Sequence, residues 1–157
     1  MYITLGIGNT PLALFFSNEK LCKFFYKRSK SPLKVTTFAW KLFLDKIPSK
    51  VALQRRGITL SIGARISCSF CKDTPKTSNH LFLSCHISYS VWQLVYNWLD
   101  ISVTLPSSPF HHFICHMGMV KDKKGWSLWS VLWFAIMWTI WLSRNELIFN
   151  NVESSPK

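Results

Sequence analysis

Acidic residues are scarce in this sequence, and those present are scattered. Only 7 Asp and Glu occur among 157 residues, against 19 Lys and Arg, which gives a formal net charge of +12. Enzymes that transfer phosphoryl groups with two metal ions hold those ions with clustered carboxylates. No two of the seven acids are adjacent, so the sequence excludes that class of enzyme for this chain.

Glycine is also rare, with 6 residues, and no glycine-rich phosphate-binding loop occurs. No Ser/His/Asp arrangement typical of nucleophilic catalysis stands out either. Together these absences predict a protein that is not an enzyme.

Cysteine occurs five times, an odd number that does not suit a framework of disulfides. The apolar stretch 10–16 is interrupted by Pro11 and has no basic residue before it, which is wrong for a secretory signal. We therefore expect a reducing, intracellular location, with the nucleus as one candidate. Metal binding becomes the natural role to consider for the cysteines.

Apolar residues, by contrast, are abundant. The chain is 48% hydrophobic and contains 8 Trp and 12 Phe. Disordered chains are poor in aromatic residues, so this chain should fold, and its length suits one domain. Its fold class is predicted to be mainly α, because apolar residues recur at helical spacing at Val35, Phe38, Ala39 and Leu42 and again through residues 88–99.

The positive charge is concentrated in one part of the chain. Residues 20–72 contain 13 Lys and Arg and a single acid, Asp45, so they carry the whole excess of +12. Such a basic segment indicates an anionic partner, with RNA or DNA contacted through its phosphates. The alternative is a basic face that only interacts with solvent.

Three cysteines and one histidine follow the basic segment with the spacing C-x2-C-x8-H-x4-C. They are Cys68, Cys71, His80 and Cys85. Three thiolates and one imidazole are a common ligand set for structural Zn²⁺, and four protein ligands leave no open position for catalysis. Because His80 and Cys85 are five residues apart, they cannot share one face of a regular helix, so one of them must lie at a helix end or on a turn. The alternatives are reduced core cysteines, or His86 as a substitute ligand.

The sequence segments around these ligands resemble the zinc-binding domain that lies downstream of the polymerase in plant LINE-type (non-LTR) retrotransposon reverse transcriptases. The matching segments are 32–35, 38–40, 47–50, 55–58, 68–71, 80–82 and 91–92, with Leu53 and Cys85. A later family signature resembles Trp141, Arg144-Asn145 and Ile148-Phe149 at slightly different spacing. The chain departs from the family at Lys76, where an acid is usual, and residues 1–30 look unrelated to it.

The resemblance implies a non-catalytic module cut from a longer polyprotein, in which it would hold template RNA or target DNA. The residues proposed to contact phosphates are Lys34, Lys41, Lys50, Arg55, Arg56 and Arg65. The domain assignment is 1–30 as an unassigned segment, 31–100 as the zinc-binding domain, 101–125 as a loop, 126–150 as an apolar helix and 151–157 as a tail. A retroelement relic without present function is a further alternative.

The C-terminal part poses a separate question, because residues 126–142 contain five Trp and no charge. A helix that is apolar all round must be buried, so this Trp-rich helix is predicted to pack inside a soluble protein or on the parental polymerase domain or another protein. A membrane anchor is the alternative, because the stretch reaches the lower length bound for a span. His111, His112, Cys115 and His116 suggest a second metal site, for which we prefer a partly buried loop or helix start.

Overall fold

The computed structural model describes residues 29–49, 57, 67–72 and 77–149, and within these ranges its helices and turns include no strand. The elements are α1 (Leu33–Phe43), a π-helical turn (His80–Ser84), α2 (His86–Trp98), α3 (Pro109–Gly118) and α4 (Lys123–Phe149). The predicted mainly α fold is therefore confirmed. Ser49 as a possible cap and Gly57 as a possible end predict a further short helix over 49–56, and residues 50–56 lie outside the described residues.

Helix α1 buries the four residues whose spacing predicted it, Val35, Phe38, Ala39 and Leu42. The pair Ile47-Pro48 predicts that this helix stops at Ile47, because proline disfavours helix at the residue before it. The helix ends four residues earlier, at Phe43, because the chain turns left-handed at Asp45 (φ 51°). There the N–H of Lys46 donates to the carbonyl of Lys41, at 2.8 Å. The N–H of Asp45 donates to the carbonyl of Leu42, at 3.0 Å, which completes a Schellman motif.

Helix α4 packs against the zinc-binding segment of the same chain. The ring of Phe38 on α1 lies 5.2 Å from that of Trp138 and 5.6 Å from that of Trp141. Arg144 is buried, lies 4.7 Å from the Trp141 ring and donates from Nη2 to the carbonyl oxygen of Pro48 at 3.4 Å. The predicted apolar helix is thus present, and one side of it has its partner within the chain.

By length and composition alone, Lys124–Phe149 is also apolar enough to cross a membrane. One side of it is packed, however, because Trp133, Phe134, Met137 and Ile140 are buried against other helices. Leu128, Leu142 and Phe149 remain exposed on its surface. A packed core helix of this kind passes the same test of length and composition.

The prediction of a loop over 101–125 is wrong for residues 109–118, which form α3, and for 123–125, which begin α4. Serine and proline are common in loops, yet Ser108 and Pro109 begin the helix. The Ser108 hydroxyl accepts from the backbone N–H of His111 at 3.2 Å, and Pro109 occupies the first turn, where its missing N–H has no cost. Of the two alternatives preferred for His111–His116, the loop is wrong and the helix is confirmed, with its start two residues earlier at Pro109.

Candidate metal centre

Two tight backbone turns bring the four candidate ligands together. In the first, the N–H of Lys72 donates to the carbonyl of Cys68 at 3.0 Å, and Lys72 takes a left-handed conformation (φ 63°). This turn carries the thiols of Cys68 and Cys71. The second is the π-helical turn, which begins at His80 and is followed directly by Cys85.

The π-helical turn resolves the five-residue spacing that no regular α-helix can accommodate. The N–H of Cys85 donates to the carbonyl of His80 at 2.7 Å, a bond between residues i and i+5. Cys85 then leaves the turn in an extended conformation and precedes α2. The expectation that one of these two ligands lies at a helix end is therefore confirmed.

The four ligand atoms all lie within 4.8 Å of one another. The Sγ atoms of Cys68 and Cys85 are 3.9 Å apart, and Cys71 Sγ is 3.2 Å from His80 Nε2. With zinc bonds of about 2.3 Å to sulfur and about 2.0 Å to nitrogen, the edges of a tetrahedron measure about 3.8 Å between sulfurs and about 3.5 Å between sulfur and nitrogen. The donor set and its spacing therefore fit Zn²⁺ after small side-chain shifts.

Burial disfavours the thiolate of Cys85, so this thiol needs a nearby cation if it is to lose its proton at neutral pH. Burial, with the neighbouring thiols of Cys68 and Cys71, raises the pKa of Cys85 to about 11, although a backbone hydrogen bond at Ile87 opposes the rise. Without a metal this thiol stays protonated at neutral pH. Metal binding at this centre should therefore release protons.

Side chains behind His80 hold its ring and its backbone. Ser84 Oγ lies 3.4 Å from Nδ1, the nitrogen that faces away from the thiols, so Nε2 is left to bind the metal. Thr77 Oγ1 accepts a hydrogen bond from the His80 backbone N–H at 3.1 Å. The histidine is thus oriented from its own turn.

The other proposed ligands are not brought into a metal site. His86 is exposed, and within the described ranges the Cys68, Cys71, His80 and Cys85 group is the one cluster of this type. His112 and His116 are buried, and both rings contact the hydroxyl of Tyr96, at 3.0 and 2.9 Å. The suggested second metal site is replaced by a polar network.

Which group donates and which accepts in each hydrogen bond of this network follows from the groups that can play only one role. Trp133 Nε1 can only donate, so Nδ1 of His112, 3.2 Å away, accepts, and its Nε2–H donates to Tyr96. The carbonyl of Trp129 can only accept, so Nε2 of His116 donates to it at 3.1 Å. The remaining nitrogen of His116 accepts the Tyr96 hydroxyl proton.

Both imidazoles are therefore neutral and satisfied at every nitrogen. Burial lowers the pKa of His112 to about 3 and that of His116 to about 4. Sequence reasoning missed this network, since only the i, i+4 spacing of the two histidines hinted that they share a helix face.

The residues proposed to bind nucleic acid are only partly described. Lys34 and Lys41 are exposed on α1, and their seven-residue spacing places them on one face. The Nζ of Lys34 lies 6.0 Å from the Trp138 ring. Lys50, Arg55, Arg56 and Arg65 lie outside the described residues.

Comparison with known proteins assigns the site to a family. The family model described as zinc-binding in reverse transcriptase matches residues 13–92, just over half of the 157-residue chain. The match covers all four clustered ligands. It also includes residues 13–30, so the expectation that residues 1–30 are unrelated to the family is wrong for these residues. No curated protein and no solved structure matches the chain.

Proposed function

Because the chain belongs to the family of zinc-binding domains of reverse transcriptases, we propose that it binds one structural Zn²⁺ through Cys68, Cys71, His80 and Cys85. The observation that carries this proposal is the convergence of all four ligand atoms within 4.8 Å. A zinc ion with four protein ligands has no open position for a substrate or an activated water. Its role would be to fix the turns that precede α2.

Zinc bound to three thiolates and one imidazole would carry a net charge of −1. Lys72 follows Cys71 directly and is exposed, so it provides a nearby positive charge. Lys76 and Arg65 are also near the ligands in sequence, but they lie outside the described residues. When bound, the metal would supply the cation that the buried Cys85 thiol needs in order to ionise.

The zinc proposal is tested by native mass spectrometry of the purified chain, with one zinc per molecule as the expected result. Chelation should lower the helix content measured by circular dichroism, and Cys68→Ser should lower it in zinc-containing buffer. Cys115→Ser is the matched control, because Cys115 is partly buried in α3 and outside the cluster. The proposal would be wrong if the purified chain held no metal and its helix content were the same with and without zinc.

We further propose that the parent of this chain is a LINE-type retrotransposon polyprotein of plants. The support is that the matching segments occur in the same order as in that family, in particular the segments 38–40 and 55–58, which precede the ligands. Within that parent the module would have no catalytic step of its own. Its contribution would be binding.

The binding partner we propose is the phosphate backbone of RNA or DNA. The support is the concentration of the whole net charge in residues 20–72 and the exposure of Lys34 and Lys41 on one face of α1. Each lysine that neutralises a phosphate releases a counterion, so affinity should fall steeply with salt. No base-reading motif is present, so the binding would not depend on sequence.

This second proposal is tested by the salt dependence of binding to random-sequence RNA and DNA oligonucleotides. The double variant Lys34→Glu/Lys41→Glu should weaken binding and lower the salt slope by about two, since two phosphate contacts are lost. Lys121→Glu/Lys124→Glu changes the net charge equally, with exposed lysines outside the basic segment. If both pairs weaken binding equally, net charge alone acts and the α1 face is not the interface.

A further inference from the structure

Asp45 is the one acid among residues 20–72, and its side chain contacts the segment that carries a zinc ligand. The hydroxyl of Ser78 donates a hydrogen bond to Asp45 Oδ1, across 33 residues of sequence. Ser78 is only 6% exposed and lies two residues before His80. The bond therefore connects the end of α1 to the start of the turn that holds the histidine ligand.

The backbone at Asp45 tolerates an aspartate but does not require one. Its φ of 51° is the left-handed conformation at the residue after the helix cap, where glycine is usual because it has no Cβ. Glycine would end α1 at least as well. The carboxylate must therefore be understood from what it contacts.

Ser78 belongs to one short turn that also contains His80. The carbonyl of Thr77 accepts from the N–H of Leu81 at 3.0 Å, and its hydroxyl accepts from the N–H of His80 at 3.1 Å. These bonds fix the turn internally but do not attach it to the rest of the protein. The Asp45 carboxylate supplies an attachment from α1.

We propose that Asp45 is a positioning residue of the zinc centre. By holding Ser78, its carboxylate keeps the turn where His80 Nε2 faces the thiol of Cys71, 3.2 Å away, before a metal arrives. The inference rests on the proposed zinc site and adds a residue outside its four ligands. Partners that orient metal ligands typically change metal affinity by about 10- to 100-fold when removed.

The variant Asp45→Gly separates this role from a role in ending the helix. It relieves the backbone but also removes the hydrogen bond to the buried Ser78. Because these two effects oppose each other, the thermal midpoint of the metal-free chain should change little. The dissociation constant for Zn²⁺, measured by competition with a chelator, should increase by about tenfold. If Asp45 only ended α1, its replacement by glycine would not weaken zinc binding.

Asp100 offers a matched control at the end of α2. It has a φ of 55°, its N–H donates to the carbonyl of Asn97 at 3.1 Å, and Ile101 N–H donates to Tyr96 at 2.8 Å. This is the same helix ending as at Asp45, at the far end of α2 from Cys85. Asp100→Gly should therefore leave zinc affinity unchanged.

Two further variants test the bond itself. Ser78→Ala should weaken zinc binding about as much as Asp45→Gly, and the double variant should lose no more than either alone, because both remove one interaction. Asp45→Asn keeps an acceptor oxygen and tolerates the left-handed backbone, so it should lose less. Circular dichroism in excess zinc shows whether each variant has folded.

The possible failures are distinguishable. A wild-type chain that takes up no zinc would overturn the proposed function. A wild-type chain that binds zinc, with Asp45→Gly binding equally well, would overturn only the role of Asp45. Equal losses in Asp45→Gly and Asp100→Gly would also overturn it, because both would then act through helix ends.

Discussion

Tyr96 donates its hydroxyl proton to Nδ1 of His116, 2.9 Å away, in the centre of the protein. The same oxygen accepts from His112, so one hydroxyl joins two buried imidazoles. Burial raises the pKa of Tyr96, which keeps this hydroxyl protonated. The network joins α2, α3 and α4 by polar bonds inside an aromatic core, and several consequences can be measured.

Removal of the Tyr96 hydroxyl should be costly. Tyr96→Phe leaves a donor on His112 and an acceptor on His116 without partners, and we expect the free energy of unfolding to fall by about 1–3 kcal/mol. Urea denaturation followed by circular dichroism measures this change. Tyr89→Phe, at an exposed position on the same helix, should have almost no effect. Equal losses would mean that the buried hydroxyl has no special role.

Acid should destabilise the fold through the same two histidines. Their folded pKa values of about 3 and about 4 lie below the ordinary 6.5, so between about pH 4 and 6.5 the unfolded chain binds more protons. The contribution is fully present above pH 6.5 and is lost as the pH falls. Each histidine should add about 1.4 kcal/mol per pH unit to the slope.

A variant isolates this slope from the zinc ligands, which also bind protons in acid. His116→Gln has one titrating group fewer and unchanged ligands, so its unfolding free energy should depend on pH less steeply, by about 1.4 kcal/mol per unit. His111→Gln changes an exposed ring in the same helix and should keep the wild-type slope. Parallel slopes for all three proteins would contradict the neutral, buried state of the pair.

Because only one side of α4 is packed, substitutions on its two sides should change the stability of the protein by very different amounts. Trp133 is fully buried and contacts Phe113, with ring centroids 4.9 Å apart, whereas Leu128 is 73% exposed. Trp133→Ala should lower the free energy of unfolding by about 3–5 kcal/mol. Leu128→Ala should change it by less than about 0.5 kcal/mol. Equal and small effects in aqueous buffer would instead favour a helix that sits outside the folded core.

The start of α3 predicts a smaller and local effect. Ser108→Ala removes the hydroxyl that accepts from the His111 N–H, and it should cost about 1 kcal/mol of unfolding free energy. Ser107→Ala, at the exposed neighbouring position, is the control. If the two alanine variants denature at the same urea concentration, Ser108 does not stabilise the helix.

Local patterns in the sequence were sufficient to predict α1, the four clustered ligands and the apolar helix. Spacing alone identifies Val35, Phe38, Ala39 and Leu42 as one buried face, because a helix repeats every 3.6 residues. The ligand cluster was equally visible, since tight turns need few residues. The proposed phosphate-binding residues remain a prediction.

What sequence reasoning missed depends on contacts between distant residues or on ambiguous local signals. Pro109 and Ser108 indicate a loop as readily as a helix start, and only the following residues decide. The Tyr96 network joins residues 16 and 20 apart, which no local period reveals. The hydrogen bond between Ser78 and Asp45 joins residues 33 positions apart, so no local sequence pattern predicts it either.

The contact of Arg144 with Pro48 has a consequence for how the molecule is made. These residues are 96 positions apart, and α4 covers the rings of Phe38 and Phe82 that the family-matched segment leaves on its surface. During synthesis the four ligands leave the ribosome well before α4 does. A chain stopped at residue 92 would therefore carry every zinc ligand and still expose the rings that α4 covers, so we expect it to aggregate more readily than the 157-residue chain.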